Sequence, residues 1–136
     1  METLRVLIVD DVAQVRRDLA MVLTLTGQVG KDRSLEQKRR IEVVGEAANG
    51  LEAVRMAEAL QPQVVLMDLE MPVMGGCEAA RRIKERCPGC RVIALTVHDD
   101  QSTRLEAMQV GMEAFVVKGA PLESLLRAIW AETAAQ

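Results

Sequence analysis

The sequence predicts an α/β domain built around a doubly wound parallel sheet. Short runs of branched apolar residues alternate with segments of helical periodicity along the whole chain, a pattern typical of parallel strands joined by right-handed helical crossovers. The chain has 136 residues, of which 49% are hydrophobic. This is enough to bury a core, so we expect residues 1–136 to form a single domain.

Five strands are predicted where branched apolar residues cluster, at residues 5–9, 42–47, 64–67, 92–96 and 114–117. The first of these contains the run Val6-Leu7-Ile8-Val9. The third, residues 64–67, is apolar throughout, which suits a strand covered by helices on both faces.

Five helices are predicted between and after these strands, at residues 12–24, 51–60, 77–86, 102–110 and 122–130. The last shows the clearest periodicity, because Leu122, Leu125, Leu126 and Ile129 recur at helical spacing and form one apolar stripe. Pro121 fits the first turn of this helix.

Asp68 follows the apolar third strand and precedes a loop that contains Met71-Pro72 and Gly75-Gly76, residues that break regular structure. A carboxylate is costly inside a buried strand. In an open parallel sheet, however, ligands bind in the crevice outside the carboxyl ends of the strands. A lone aspartate in this position could also simply end the strand or cap a helix.

Asp10 and Asp11 follow the first strand in the same way. Their turn contains no glycine, so a dinucleotide-binding turn is not supported. If both lie beside Asp68, three negative charges share one crevice, and a hard cation would relieve their repulsion. Mg²⁺ suits this set, because it binds one or two carboxylates and keeps positions free for phosphate oxygens.

Two more polar side chains fall at strand ends. Thr96 ends the fourth strand and Lys118 directly follows the fifth. Each alone is a weak signal, but a lysine among three acids can pair with them and also meet a phosphoryl oxygen. The joint occurrence indicates a phosphate-handling site.

Several other classes are disfavoured. A net charge of -3 argues against a surface for nucleic-acid phosphates, and the apolar runs are too short to span a membrane. No signal peptide is recognisable, so a cytoplasmic location is expected. Cys87 and Cys90 flank Pro-Gly after a helix, which suits neither a thioredoxin-like site nor zinc, and we expect the chain's three cysteines to remain reduced.

These motifs resemble the receiver domain of two-component response regulators, over nearly the whole chain. The similarity rests on Val-Val-Leu-Met-Asp-Leu-Glu-Met-Pro-Val-Met-Gly-Gly around Asp68, on Ala-Leu-Thr at Thr96, and on Gly-Met-Glu-Ala-Phe-Val-Val-Lys-Gly-Ala around Lys118. It is greatest to receivers of the NarL/LuxR type, which are often joined to a helix-turn-helix output domain. It implies a CheY-like fold with strand order 2-1-3-4-5.

The resemblance implies a role for each strand-end residue. Asp68 would be the phosphoacceptor and Lys118 would contact the phosphoryl group, while Thr96 and Phe115 would form a switch pair. The implied Mg²⁺ ligands are Asp11, Asp10 mainly through water, Asp68 and the backbone carbonyl of Glu70.

The same resemblance implies the partners. The phosphoryl donor would be a histidine kinase or a phosphotransfer protein, and the surface of the fourth helix, fifth strand and fifth helix would carry the signal, with a homodimer as one outcome. The domain itself would bind neither nucleic acid nor membrane. It would not be an enzyme beyond its own phosphorylation and dephosphorylation, and it could belong to a transcriptional regulator.

The sequence departs from this family most clearly at residues 27–41, which resemble an insertion before the second strand. Ser34 and Gln37 could open a short helix there that ends at residues 38–40. The segment is either a solvated excursion or a partner contact. Two alternative functions accordingly stay open, a phosphorylation-independent interaction module and, third, an enzyme acting on an external phosphate ester.

Overall fold

The computed structural model describes residues 2–26 and 39–131 of the chain. Its strands are β1 Glu2–Val9, β2 Arg39–Ala47, β3 Val64–Asp68, β4 Arg91–Thr96 and β5 Ala114–Val117. Its helices are α1 Ala13–Thr26, α2 Gly50–Leu60, α3 Gly76–Arg86, α4 Gln101–Gln109 and α5 Leu122–Trp130. All ten predicted elements are present.

The strands form one parallel sheet in the order β2-β1-β3-β4-β5, which confirms the predicted fold class. The register aligns the strand ends, because Val9 pairs with Met67, Asp68 with Leu95, and Thr96 with Val117. The residues that end or directly follow β1, β3, β4 and β5 therefore meet at one edge of the sheet. No helix in the described part of the chain is long and apolar enough to cross a bilayer.

Alternate residues of the central strands point to opposite faces of the sheet, as the two-residue period of a strand requires, and they pack into two separate cores. On one face Leu7, Val65 and Met67 pack with buried residues of α2 and α3. On the other face Ile8 and Leu66 pack with buried residues of α1 and α5. All five residues of β3 are buried, which confirms that this strand is covered on both faces.

The predicted start of the second strand is wrong. β2 begins at Arg39 rather than at residue 42, because Arg39 and Arg40 pair with Glu2 and Thr3 at the start of β1. Residues 39 and 40 therefore do not end a helix, and residues 39–41 are strand rather than insertion. The start of this strand was not predicted because its first two residues are charged rather than apolar. In the structure the Arg39 guanidinium lies over the Trp130 ring at 5.0 Å. The remainder of the predicted insertion, residues 27–38, lies outside the described residues.

The expectation of reduced cysteines is also wrong for two of the three. Cys87 and Cys90 form a disulfide, whereas Cys77 is free. The turn between them brings their Cα atoms to 5.5 Å, within the range that a disulfide spans. Both residues are buried at the end of the sheet opposite Asp68.

The loop after β3 is tightly shaped. Val73 has a φ of 72°, and the Met74 amide donates to the Pro72 carbonyl at 2.8 Å. At Gly76 a Cβ atom would lie 2.3 Å from the carbonyl oxygen of Asp68, so only glycine fits. A side chain at Gly75 would meet nothing closer than 3.6 Å, so the local backbone does not require glycine there. The start of α3 is thereby held against Asp68.

Candidate functional site

The structure brings the three predicted acids together. One carboxylate oxygen from each of Asp10, Asp11 and Asp68 lies within 4.8 Å of the others. Asp10 and Asp68 are buried and Asp11 is exposed. This arrangement follows from the sheet order, because β1 and β3 are neighbours and both strands end at this edge.

Asp10 and Asp11 differ in their hydrogen bonds. One carboxylate oxygen of Asp10 accepts from the Val12 amide at 2.9 Å, and the other accepts from Lys118 Nζ at 2.8 Å. The Asp11 carboxylate makes no hydrogen bond with the described residues. Asp11 therefore offers the cluster a carboxylate oxygen that is not engaged by any described residue.

Lys118 connects the acids. Its Nζ lies 2.8 Å from Asp10 Oδ2 and 3.7 Å from Asp68 Oδ2. Burial lowers the pKa of Lys118, but the hydrogen bond to Asp10 and the charges of the three acids outweigh it, so the pKa is raised above its usual value. The ammonium therefore stays charged at neutral pH.

The Asp68 carboxyl has a raised pKa. Burial raises its pKa to about 6, although the amide of Glu70 at 3.2 Å and the charge of Lys118 both lower it. The charges of Asp10 and Asp11 raise it further. At pH 7 the group is mostly ionised and remains a usable nucleophile.

The predicted switch residues lie on adjacent strands. Thr96 is buried, and its Oγ1 accepts from the His98 amide at 3.1 Å. Phe115 is half-buried and pairs with Ala94 on β4, and the Arg104 guanidinium of α4 lies over its ring at 4.6 Å. The fourth helix is thus in direct contact with Phe115.

Sequence reasoning missed two contacts of this site. The Glu70 carboxylate contacts His98 Nε2, and this contact joins the loops that follow β3 and β4. Glu70 lies two positions after Asp68 and His98 two positions after Thr96, and these two residues end neighbouring strands. This shared spacing was the available signal for the contact. A cleft of about 460 Å³ opens between the two loops and includes Thr96 in its lining.

The second missed contact involves Arg16 on α1. Its Nη1 donates to the backbone carbonyl of Asp10 at 2.6 Å, and its Nε lies 3.2 Å from Glu46 Oε1. Nothing in the sequence pattern distinguished Arg16 from the exposed Arg17 beside it.

Comparisons with known proteins agree with this geometry. The family model of the response regulator receiver domain matches residues 6–130. Response regulator GacA from Pseudomonas viridiflava is 36% identical over 126 residues, covering 93% of this chain and 53% of GacA. The signal receiver domain of NarL from Mycobacterium tuberculosis has a TM-score of 0.81 at 28% identity, covering 95% of this chain and 94% of that one. Chemotaxis protein CheY4 from Vibrio cholerae has a TM-score of 0.75 at 26% identity, covering 93% and 96%.

The chain belongs to the response regulator receiver domain family, and its fold is CheY-like. It is homologous to two-component regulators and has the phosphorelay receiver role. It spans about half the length of curated relatives such as GacA, of which it covers 53%.

Proposed function

We propose that Asp68 accepts a phosphoryl group from a phosphohistidine on a histidine kinase or phosphotransfer protein. One observation carries the assignment of Asp68. It is a buried carboxylate at the end of the central strand, with two further acids and the ammonium of Lys118 around it. Phosphoryl transfer depends mainly on positioning and on neutralising phosphoryl oxygens, and this crevice offers both.

In the proposed step an oxygen of Asp68 bonds to phosphorus while the P–N bond of the donor breaks. The electron pair of that bond stays on the imidazole, which leaves as unmodified histidine. Lys118 neutralises negative charge on the phosphoryl oxygens from its position 3.7 Å from Asp68. Hydrolysis of the acyl phosphate later releases inorganic phosphate and restores the carboxylate, so no external substrate is turned over.

The acidic cluster fits a hard divalent cation, and we assign it to Mg²⁺. Carboxylate and carbonyl oxygens are the ligands that Mg²⁺ prefers, and Asp11 offers oxygens that make no hydrogen bond with the described residues. The residues that would hold it are Asp11, Asp10 mainly through water, Asp68 and the backbone carbonyl of Glu70. When bound, the cation would supply positive charge to the phosphoryl oxygens.

Readout is proposed through Thr96 and Phe115. The Thr96 hydroxyl would move to donate a hydrogen bond to a phosphoryl oxygen on Asp68. Phe115 would then repack toward the space that Thr96 leaves. Because Arg104 covers the Phe115 ring, this repacking would disturb α4. Leu105 and Met108 of α4 are exposed, so a protein partner or a second copy of the chain suits this surface better than nucleic acid.

The crevice edge also suits a protein donor. Val12, Val73 and Val97 are exposed, and each lies in a loop that follows one of the strands ending at Asp68's edge of the sheet. Exposed apolar side chains around a polar site favour contact with another protein. A cytoplasmic location, where ATP-dependent kinases supply phosphoryl groups, completes the proposal.

Phosphorylation tests the proposal directly. Incubation with Mg²⁺ and acetyl phosphate should add one phosphoryl group to the wild-type chain, measured by intact mass spectrometry, and Asp68→Asn should show none. Asp18→Asn removes an exposed carboxylate of α1 and should be modified like wild type. The absence of an adduct on wild type would favour a phosphorylation-independent interaction module, and an adduct on Asp68→Asn would place the acceptor elsewhere.

Metal binding should depend more on Asp11 than on Asp10. Asp11→Asn removes a carboxylate that makes no hydrogen bond within the described part of the chain, whereas both oxygens of Asp10 are already hydrogen-bonded. We expect Asp11→Asn to weaken Mg²⁺ binding by roughly tenfold or more, on the order of 1.4 kcal/mol, in a calorimetric titration. Equal losses in the two variants would contradict the assignment of Asp11 as the direct ligand.

A further inference from the structure

We infer that Arg16 is a positioning residue that orients Asp11 for the cation by clamping the Asp10–Asp11 peptide against Glu46. The inference rests on the magnesium site proposed above and assigns it a residue outside the ligand set. It starts from the two contacts of the Arg16 side chain, one to a backbone carbonyl between two of the acids and one to the second strand.

The carbonyl that Arg16 contacts belongs to the peptide unit joining Asp10 to Asp11. Its oxygen lies 2.6 Å from Arg16 Nη1. The preceding peptide unit is held as well, because the Asp10 amide donates to the Ala47 carbonyl at 3.1 Å. Since each peptide unit is planar, fixing both leaves the backbone around Asp10 little freedom.

Asp11 depends on this backbone more than its neighbours do. The Asp10 carboxylate is fixed by Val12 and Lys118, and Asp68 accepts from the Glu70 amide. The Asp11 carboxylate is exposed and has no hydrogen bond within the described residues. Its direction toward the crevice therefore follows from the orientation of the peptide that Arg16 holds.

Glu46 fixes the other end of the clamp. Arg16 Nε lies 3.2 Å from Glu46 Oε1, and only 16% of the Arg16 side chain is exposed. Glu46 belongs to β2 and pairs with Ile8, so its position is set by the sheet. A guanidinium can serve two acceptors in a fixed plane, which a lysine ammonium on a flexible stem does not reproduce.

Simple electrostatics makes the opposite prediction for this residue. Arg16 carries a positive charge next to the acids, so it repels a divalent cation. Removing the charge alone would tighten Mg²⁺ binding, whereas removing a clamp would weaken it. The sign of the change therefore separates a positioning role from a charge effect.

The test is a calorimetric Mg²⁺ titration of Arg16→Gln and Arg16→Lys, with folding checked by circular dichroism and melting temperature. We expect Arg16→Gln to weaken binding about tenfold, the lower end for residues that orient metal ligands, and Arg16→Lys to weaken it less. Arg17→Gln is the matched control, because Arg17 is exposed and its side chain donates to Gln14 Oε1 at 3.2 Å, within its own helix. It should bind Mg²⁺ within about twofold of wild type.

Equal or tighter binding by Arg16→Gln would overturn the inference, and so would wild-type affinity in Arg16→Lys. In an Asp11→Asn background Arg16→Gln should cause no further loss, because the ligand it orients is gone. A full additional loss there would show that Arg16 acts elsewhere. If the wild-type chain failed to bind Mg²⁺, the proposed metal site itself would be wrong. This outcome is distinct from a wild-type chain that binds Mg²⁺ and an Arg16 variant that binds it equally well.

Discussion

Replacing Lys118 with methionine should slow phosphorylation of Asp68 by about 10²–10³-fold, the range for loss of one donor that stabilises a developing charge. Lys118 Nζ lies 3.7 Å from Asp68 Oδ2 and would neutralise the transferred group. The rate is measured as the appearance of the phosphorylated mass during incubation with Mg²⁺ and acetyl phosphate.

The same variant should also be less stable without metal. Asp10 is 2% exposed and would lose its cationic partner at 2.8 Å. We expect a loss of about 2–3 kcal/mol in the free energy of unfolding, less than for a fully buried pair because Lys118 is partly exposed. Mg²⁺ should restore part of this loss, since it binds the folded state.

Lys84 provides the matched control. It is about as exposed as Lys118 and pairs with Glu113, away from the crevice. Lys84→Met should therefore accept phosphate at close to the wild-type rate, whatever its effect on stability. Phosphorylation of Lys118→Met at the wild-type rate would remove Lys118 from the proposed mechanism.

The contribution of Asp68 to the stability of the metal-free protein should fall as the pH rises from about 4 to about 7. The pKa of this group is raised from 3.8 to about 6 in the folded state, so the folded chain holds the proton more tightly than the unfolded chain. The stability that this contributes is fully present below about pH 4 and is lost as the pH rises through 6. Its size is on the order of 2–3 kcal/mol.

Asp68→Asn isolates this contribution. The amide stays neutral, so the variant should be more stable than wild type at pH 7 in EDTA, and the difference should shrink toward pH 4. Urea unfolding of both proteins across this range measures it. Saturating Mg²⁺ should also reduce the difference, because wild type gains more from the cation. A variant less stable than wild type at pH 7 would mean that the ionised Asp68 carboxylate is not destabilised by its burial and by the neighbouring acids.

The polar residues at the strand ends were predictable because local sequence patterns indicate where strands and helices lie. Branched runs located the strands, and the polar residues directly after them located Asp10, Asp11, Asp68 and Lys118. β2 was harder, because Arg39 and Arg40 at its start are charged and only their pairing with β1 makes them strand. The Cys87–Cys90 disulfide likewise depends on the shape of a turn rather than on composition.

Local periodicity was sufficient to predict the fold class and the strands. The common edge of a parallel sheet was sufficient to predict that the polar residues ending or following β1, β3, β4 and β5 meet. Which of these groups are in contact depends on the tertiary structure. The hydrogen bond from Lys118 to Asp10 joins residues 108 positions apart, and the Glu70–His98 contact joins two loops. Arg16 of α1 contacts both Glu46 of β2 and the Asp10 carbonyl. Such contacts depend on strand register and side-chain direction across the whole domain, which no local pattern records.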